Sequence, residues 1–226
     1  MPTRYVRFIA NASMTVLFLL LIIVRLKSFP ASPYHILWSG VAIIVLVLDI
    51  YFLTKSTFNK PQNVDTSLSS FALAIGGTMG FLASALVITY PFPQYPFTNA
   101  LRQVGGVVAL LPYPFIIWAL FCLKSCFTII PEAHGIVAHG IYKYSRHPLY
   151  MCYIVWAFAN MMMFPSWPMI AVSLTHITVM ILRLKREERL LLATFPEYGD
   201  YYNRTGLIGN IRLNFLLGKG NPVFNK

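Results

Sequence analysis

Long apolar runs constrain this sequence more than any other feature. Six mainly hydrophobic segments follow one another, at about 8–24, 35–54, 69–90, 103–123, 148–164 and 167–182. A helix needs about 20 apolar residues to cross a bilayer, and the last two runs lie near the short limit. The chain is 57% hydrophobic and 11% charged, whereas a soluble domain carries about 25% charged residues. The sequence therefore predicts an all-α polytopic membrane protein with about six transmembrane helices, the last two forming a tight hairpin.

The positive charges predict how these helices are oriented. Six spans place fifteen of the eighteen Lys and Arg residues on one side of the membrane. Cytoplasmic loops carry an excess of Lys and Arg, so we predict that this side, with both termini, faces the cytoplasm. The same bias explains the net charge of +11, and without a basic soluble face we expect no nucleic-acid partner. The residues leave the choice between endoplasmic reticulum and bacterial inner membrane open.

The polar residues divide the chain into two parts. Residues 1–123 are predicted to form a four-span scaffold, in which Asp49 is the one acid inside a span. An intramembrane carboxylate is costly and marks a functional candidate, unless it reaches a lysine such as Lys55. Residues 124–226 hold most of the polar chemistry and are predicted to be the catalytic half. The three cysteines lack zinc-type spacing, so we predict buried thiols and no metal site.

The segment GIYKYSRHPLY, Gly140 to Tyr150, is the first motif of this catalytic half. Pro148 suits the first turn of a helix, where a missing N–H has no cost, so Arg146 and His147 would lie at a helix start. The free N–H groups and the positive dipole end there favour a carboxylate or phosphate. Arg146 would add a bidentate clamp for such a group. The alternative is a cluster that only anchors the helix at the membrane surface.

A pair of carboxylates, Glu187 and Glu188, follows the sixth apolar run on the same predicted helix. His176, Arg183 and Glu187 are separated by seven and four positions, so they share one helical face. Adjacent carboxylates can hold hydroxyls or an ammonium group. The alternative is a solvated helix end.

In order and spacing these residues resemble the isoprenylcysteine carboxyl methyltransferase and phospholipid methyltransferase superfamily, membrane enzymes that use S-adenosylmethionine. The resemblance covers about 136–206, roughly a third of the chain. The motif residues are Gly140, Tyr142, Arg146-His147-Pro148-Leu149-Tyr150, Glu187-Glu188, Leu191, Phe195, Tyr198, Tyr201 and Arg204.

The resemblance implies a cofactor pocket at the cytoplasmic surface, closed between the helical hairpin and the C-terminal segment, with a lipophilic acceptor entering from the bilayer. The implied S-adenosylmethionine site consists of Tyr142, His147, Pro148, Leu149, Tyr150, Glu187 and Glu188. The catalytic candidates are Arg146, Arg183 and Glu188, the two arginines handling the cofactor carboxylate or an anionic acceptor.

Several functions fit these residues. We favour carboxylate O-methylation of an isoprenylcysteine-type acceptor, with a lipid amine or a small thiol as alternatives. An amine or thiol would have to lose a proton, for which His147, Glu187 or Glu188 would serve as base. An NADPH-dependent sterol-type reductase is another alternative, although such enzymes have Asn where this chain has Leu149. A non-enzymatic membrane protein is the last.

Overall fold

The computed structural model describes residues 3–27, 33–89, 93 and 99–207, and most of them are helical. The α-helices are α1 (Thr3–Lys27), α2 (Pro33–Phe58), α3 (Leu68–Thr89), α4 (Asn99–Leu110), α5 (Pro112–Leu123), α6 (Pro148–Met163), α7 (Trp167–Thr194) and α8 (Tyr198–Arg204). Short 3₁₀ segments cover Lys124–Cys126 and Gly140–Lys143, and two strands, β1 (Asn63–Val64) and β2 (Glu132–Ala133), have two residues each.

Each predicted apolar run becomes helical. By length and hydropathy, four helical stretches can cross a membrane: Ser39–Phe58, Leu68–Ile88, Asn99–Cys126 and Trp167–Thr194. Two shorter apolar helices cover Arg7–Ile23 and Pro148–Met163. The prediction of a helical integral membrane protein is therefore confirmed, while the count of six spans and the cytoplasmic placement of the termini stay predictions.

The fourth run differs from the single helix expected there. It divides into α4 and α5 at Leu111, directly before Pro112. Proline has no N–H and its ring clashes with the preceding turn, so it interrupts the helical hydrogen bonds. Leu111 keeps helical dihedral angles, φ −57° and ψ −39°, and the two helices therefore continue as one interrupted apolar stretch.

The α6–α7 hairpin organises the packing. Helix α6 packs against α4, α5 and α7, and α7 packs against α3. The turn between them is short, since α6 ends at Met163 and α7 begins at Trp167. The side chain of Ser166 caps α7, accepting a hydrogen bond from the backbone N–H of Met169 at 3.4 Å. The predicted tight hairpin is confirmed. So is the placement of Pro148 in the first turn of α6.

A glycine allows α3 and α7 to approach closely. A Cβ atom on Gly80 would lie 2.9 Å from Cγ of His176. Small residues at helix interfaces in membranes permit such close backbone approach. Gly76, four residues earlier on α3, makes only an ordinary contact with Val179.

The two short strands position the acidic residue Glu132. They pair antiparallel, with Asn63 opposite Ala133 and Val64 opposite Glu132. The all-α prediction did not include them, because two residues are too few to produce the alternating pattern of a strand. The pair fastens the α2–α3 loop to the chain that leads into the catalytic motif.

Candidate active site

A polar cleft of about 440 Å³, including its opening to solvent, lies where β2, the start of α6, the end of α7 and α8 meet. Its charged and imidazole-bearing lining residues are Glu132, His134, Arg146, His147 and Glu187. Tyr142, Tyr198 and Tyr201 add phenol groups, and Ile136, Val137 and Leu191 add apolar surface. Such a mixture of apolar surface with a few convergent polar groups is typical of ligand sites.

Gly140 begins the 3₁₀ segment that contains Tyr142, a residue of the cleft lining. Gly140 has φ +59° and faces Sγ of Cys122, so a side chain there would be both strained and obstructed. The turn that follows brings the carbonyl of Tyr142 to the hydroxyl of Tyr201, which donates a hydrogen bond at 2.6 Å. α8 is thereby held against the cleft.

One buried ion pair joins the first helix to the cleft wall. Nε of Arg7 donates to Oε1 of Glu132 at 2.9 Å, and Oε2 of Glu132 lies 2.8 Å from Nε2 of His134. The side chains of Glu132 and His134 are fully buried. A carboxylate at Nε2 fixes the tautomer that carries its hydrogen there. Nδ1 of His134, which has no hydrogen-bond partner within the described ranges, is then left as an acceptor.

Glu188 bridges Arg146 and His147. Its Oε1 accepts a hydrogen bond from Nε of Arg146 at 2.8 Å and lies 3.2 Å from Nε2 of His147. Arg146 also donates to the carbonyls of Tyr202, at 2.9 Å, and Thr205, and its guanidinium lies 3.9 Å from the Tyr202 ring centroid. Glu188 is 1% exposed. The cluster therefore fastens the start of α6 to α7 and the C-terminal segment.

A layer formed by Tyr150, Glu187 and Arg183 also joins α6 to α7. The hydroxyl of Tyr150 donates to Oε2 of Glu187 at 2.7 Å, and Cζ of Arg183 lies 5.7 Å from the Tyr150 ring centroid. His176 lies about two turns before Arg183 on α7, where its ring centroid is 6.1 Å from that of Trp156 on α6. The predicted common face of His176, Arg183 and Glu187 is confirmed, since all three face α6.

Beyond this layer lies an apolar cavity of about 850 Å³, including its opening. Phe81, Tyr153 and Trp156 belong to its walls, and Arg183 and Asp49 bring the charged groups. Arg183 donates to the carbonyl of Ile129 at 2.7 Å. Its buried Nε has no hydrogen-bond partner in the part of the chain that the structure describes. Glu187 and Arg183 are one helical turn apart and thus line two different cavities.

Burial determines the protonation state of the tyrosines in the polar cleft. It raises the pKa of Tyr142 and Tyr198 well above the ordinary value, and nearby Glu187 raises both further. The pKa of Tyr201 is raised by burial too. Their phenols therefore stay neutral at physiological pH and act as hydrogen-bonding groups rather than as bases.

Residues 106–193 match the model of the isoprenylcysteine carboxyl methyltransferase (ICMT) family. The predicted resemblance is confirmed. The matched range starts further upstream than the recognised motifs and includes the end of α4 together with α5, α6 and nearly all of α7. The search for curated relatives found no match. The match to the ICMT family, together with the apolar helices, implies a membrane methyltransferase.

Of the predicted cofactor-site and catalytic residues, four line the polar cleft: Tyr142, Arg146, His147 and Glu187. Glu188 lies behind the wall and binds Arg146 and His147. Pro148 and Leu149 are buried in the first turn of α6, and Tyr150 belongs to the layer beside the cleft. Arg183 lines the apolar cavity. The cofactor and catalytic roles given to these residues stay predictions.

The motif reasoning did not place Glu132 and His134 in the site. Both line the cleft and neither belongs to the spacing pattern of the ICMT motif used above. The available signal was an acid and a histidine two residues apart in an otherwise apolar segment that leads to Gly140. Buried charges need partners, so such a pair indicates a site even without a motif.

Proposed function

We propose that this protein is an integral-membrane, S-adenosylmethionine-dependent methyltransferase that methylates the carboxylate of a lipophilic acceptor of isoprenylcysteine type. One observation carries the proposal: α7 has Glu187 in the polar cleft and Arg183 in the apolar cavity, with Tyr150 against both. A charged methyl donor and a lipophilic acceptor need these two environments. They meet at a single layer of side chains.

The chemistry of the cleft fits S-adenosylmethionine. Glu187 suits the ammonium group or the ribose hydroxyls, and Nδ1 of His134 suits a further N–H or O–H donor. Ile136, Val137 and Leu191 offer apolar surface for the adenine ring. The cofactor, when bound, supplies an electrophilic methyl group.

Arg183 is the residue proposed to hold the acceptor carboxylate. Its guanidinium is always charged and its free Nε–H faces an apolar environment, where a charge-assisted hydrogen bond is strong. A carboxylate acceptor has no proton to lose, so this chain needs no general base. Its contribution is to position the acceptor and to exclude water.

Arg146 and Glu188 are proposed to act as positioning residues. The family resemblance implied that Arg146 binds the cofactor carboxylate or an anionic acceptor, but its guanidinium already bonds Glu188 and two backbone carbonyls. Glu188 in turn holds the imidazole of His147, which lines the cleft. These two residues keep the cleft wall assembled.

Calorimetry with S-adenosylhomocysteine tests the cofactor assignment, using detergent-purified full-length protein and NADPH as the comparison ligand. We expect binding of S-adenosylhomocysteine alone, weakened by His134→Phe and Glu187→Gln and unchanged by Glu197→Gln, which alters an exposed carboxylate. Binding of NADPH instead would favour the reductase. Binding of neither ligand to folded protein would sink the proposal.

Transfer of labelled methyl groups tests the acceptor assignment. An S-prenylated, N-acylated cysteine should be methylated at its carboxylate, and the ester should be labile to base. Arg183→Met should reduce the rate, whereas Arg189→Met, a change at an exposed arginine of the same helix, should not. Methylation of a lipid amine but of no acid would replace the carboxylate assignment.

A further inference from the structure

Asp49 lines the apolar cavity, and the proposed function gives it no part. It lies on α2, in the predicted scaffold, and is 5% exposed. Its buried Oδ1 has no hydrogen-bond partner among the residues that the structure covers. The predicted alternative, an ion pair with Lys55, is not formed: the ammonium group of Lys55 lies over the ring of Tyr51, 4.8 Å from its centroid.

An unpaired carboxyl inside an apolar, membrane-embedded cavity is costly, and such residues usually meet a ligand or a pathway. The cavity also contains Arg183, whose Nε is unpaired as well within the described ranges. Tyr153 lines the same cavity as Asp49 and Arg183. The cavity thus offers both a cationic donor and a hydrogen-bond acceptor to a ligand that enters it.

A head group that contains both a carboxylate and an N–H donor matches this pair. The carboxylate would bind Arg183 and the N–H would donate to Asp49. A plain lipophilic acid would satisfy Arg183 but leave Asp49 unpaired, and a site built to accept a hydrogen bond discriminates against an analogue that lacks the donor. A lipid amine without a carboxylate would leave Arg183 unpaired.

We infer that Asp49 is a specificity-determining residue, which accepts a hydrogen bond from the nitrogen next to the acceptor carboxylate and so selects lipid-bearing α-amido acids over plain lipophilic acids. The inference rests on the proposed function, since it takes carboxylate methylation as given. It assigns to the scaffold half a direct part in acceptor recognition.

The test compares two acceptors with the same prenyl thioether chain: an N-acetylated S-prenylcysteine, and the corresponding thioether propionic acid without nitrogen. Dissociation constants are measured by calorimetry without methyl donor, and kcat/KM by labelled methyl transfer. The wild-type protein should prefer the N-acetylated acid about tenfold or more in both measurements. This comparison needs no variant, so a misfolded mutant cannot obscure it.

Two variants then assign the preference to Asp49. Asp49→Asn keeps an oxygen acceptor and should keep most of the preference. Asp49→Leu should remove it by weakening the N-acetylated acid, while the plain acid binds at least as well as before. Asp200→Asn, at an exposed position, is the control and should change neither constant.

The outcomes separate the two proposals. Equal affinity and equal methylation of both acids by the wild-type protein would overturn the role of Asp49 and leave the proposed function standing. Equal loss of both acids in Asp49→Leu would also overturn it, since that result indicates a scaffold role. Methylation of neither acid would refute the proposed function itself. Tighter binding of a lipophilic amine than of either acid would overturn the inference.

Discussion

The same substitution at two adjacent acids, Glu187 and Glu188, is expected to change two different properties, cofactor affinity and stability. Glu188 is 1% exposed and its Oε1 faces both Arg146 and His147. Glu187 is half-buried, lines the polar cleft and accepts one hydrogen bond from Tyr150. Replacement by glutamine keeps the shape and removes the charge. We therefore expect Glu188→Gln to lower stability and Glu187→Gln to lower cofactor affinity.

The size of each effect follows from these contacts. Removing one partner of a buried ion pair costs about 3–5 kcal/mol, which for a chain of this size corresponds to a fall of roughly 6–20 °C in the thermal midpoint. Glu187→Gln keeps an oxygen for the Tyr150 hydroxyl, so its stability loss is about 1 kcal/mol or less. Losing a charge-assisted hydrogen bond to the ligand should weaken binding by roughly 10- to 150-fold.

Thermal unfolding followed by tryptophan fluorescence, together with calorimetric titration of S-adenosylhomocysteine well below the midpoint, separates the two effects. The double variant Arg146→Met, Glu188→Leu is the control. Replacing a buried pair by apolar residues removes both charges together, so the double variant should be more stable than Glu188→Gln. The reasoning is refuted if Glu188→Gln unfolds within about 3 °C of wild type, a drop that corresponds to roughly 1 kcal/mol. Unchanged ligand affinity in Glu187→Gln would refute it equally.

Three further substitutions test other contacts. Arg7→Met should weaken the binding of S-adenosylhomocysteine measured by calorimetry, although Arg7 lies outside the cleft, because buried Glu132 loses its cation and no longer fixes His134. The control is Lys60→Met, at an exposed position. Equal affinities of the Arg7→Met variant and the wild-type protein would contradict this prediction. Gly80→Ala should destabilise the fold by about 1–3 kcal/mol through overpacking, measured as thermal midpoint, whereas Gly40→Ala, where a Cβ meets nothing within 4 Å, should not. Burial raises the pKa of Asp65, but hydrogen bonds from Ser70 and Ser67 and the charge of Arg186 outweigh it and lower the pKa below 3.8. The extra stability of wild type over Asp65→Asn should therefore be constant from pH 8 to pH 5 and fall only below about pH 4, and a loss between pH 7 and pH 5 would exclude this account.

Local patterns predicted much of this molecule. Apolar run lengths predicted the helices, Pro148 predicted the start of α6, and the spacing of Arg183 and Glu187 predicted their common face. The break at Pro112 was visible as a proline in an apolar run, but a proline does not tell whether a helix ends or continues beyond it. The β1–β2 pair and the separation of Glu187 from Glu188 into different environments depend on long-range packing, which spacing along one helix does not contain.

Arg7 and Asp49 show why motif spacing gives an incomplete site. Both lie in the part of the chain without recognised motifs, and Arg7 contacts Glu132 while Asp49 lines the cavity of Arg183. A buried carboxylate requires a cation or a donor wherever the fold can bring one. For Glu132 that partner is Arg7, 125 residues away in the sequence. The partners of buried acids therefore connect the motif-bearing half to the first two helices. Arg7 on α1 binds Glu132, and Asp49 on α2 is inferred to bind the acceptor.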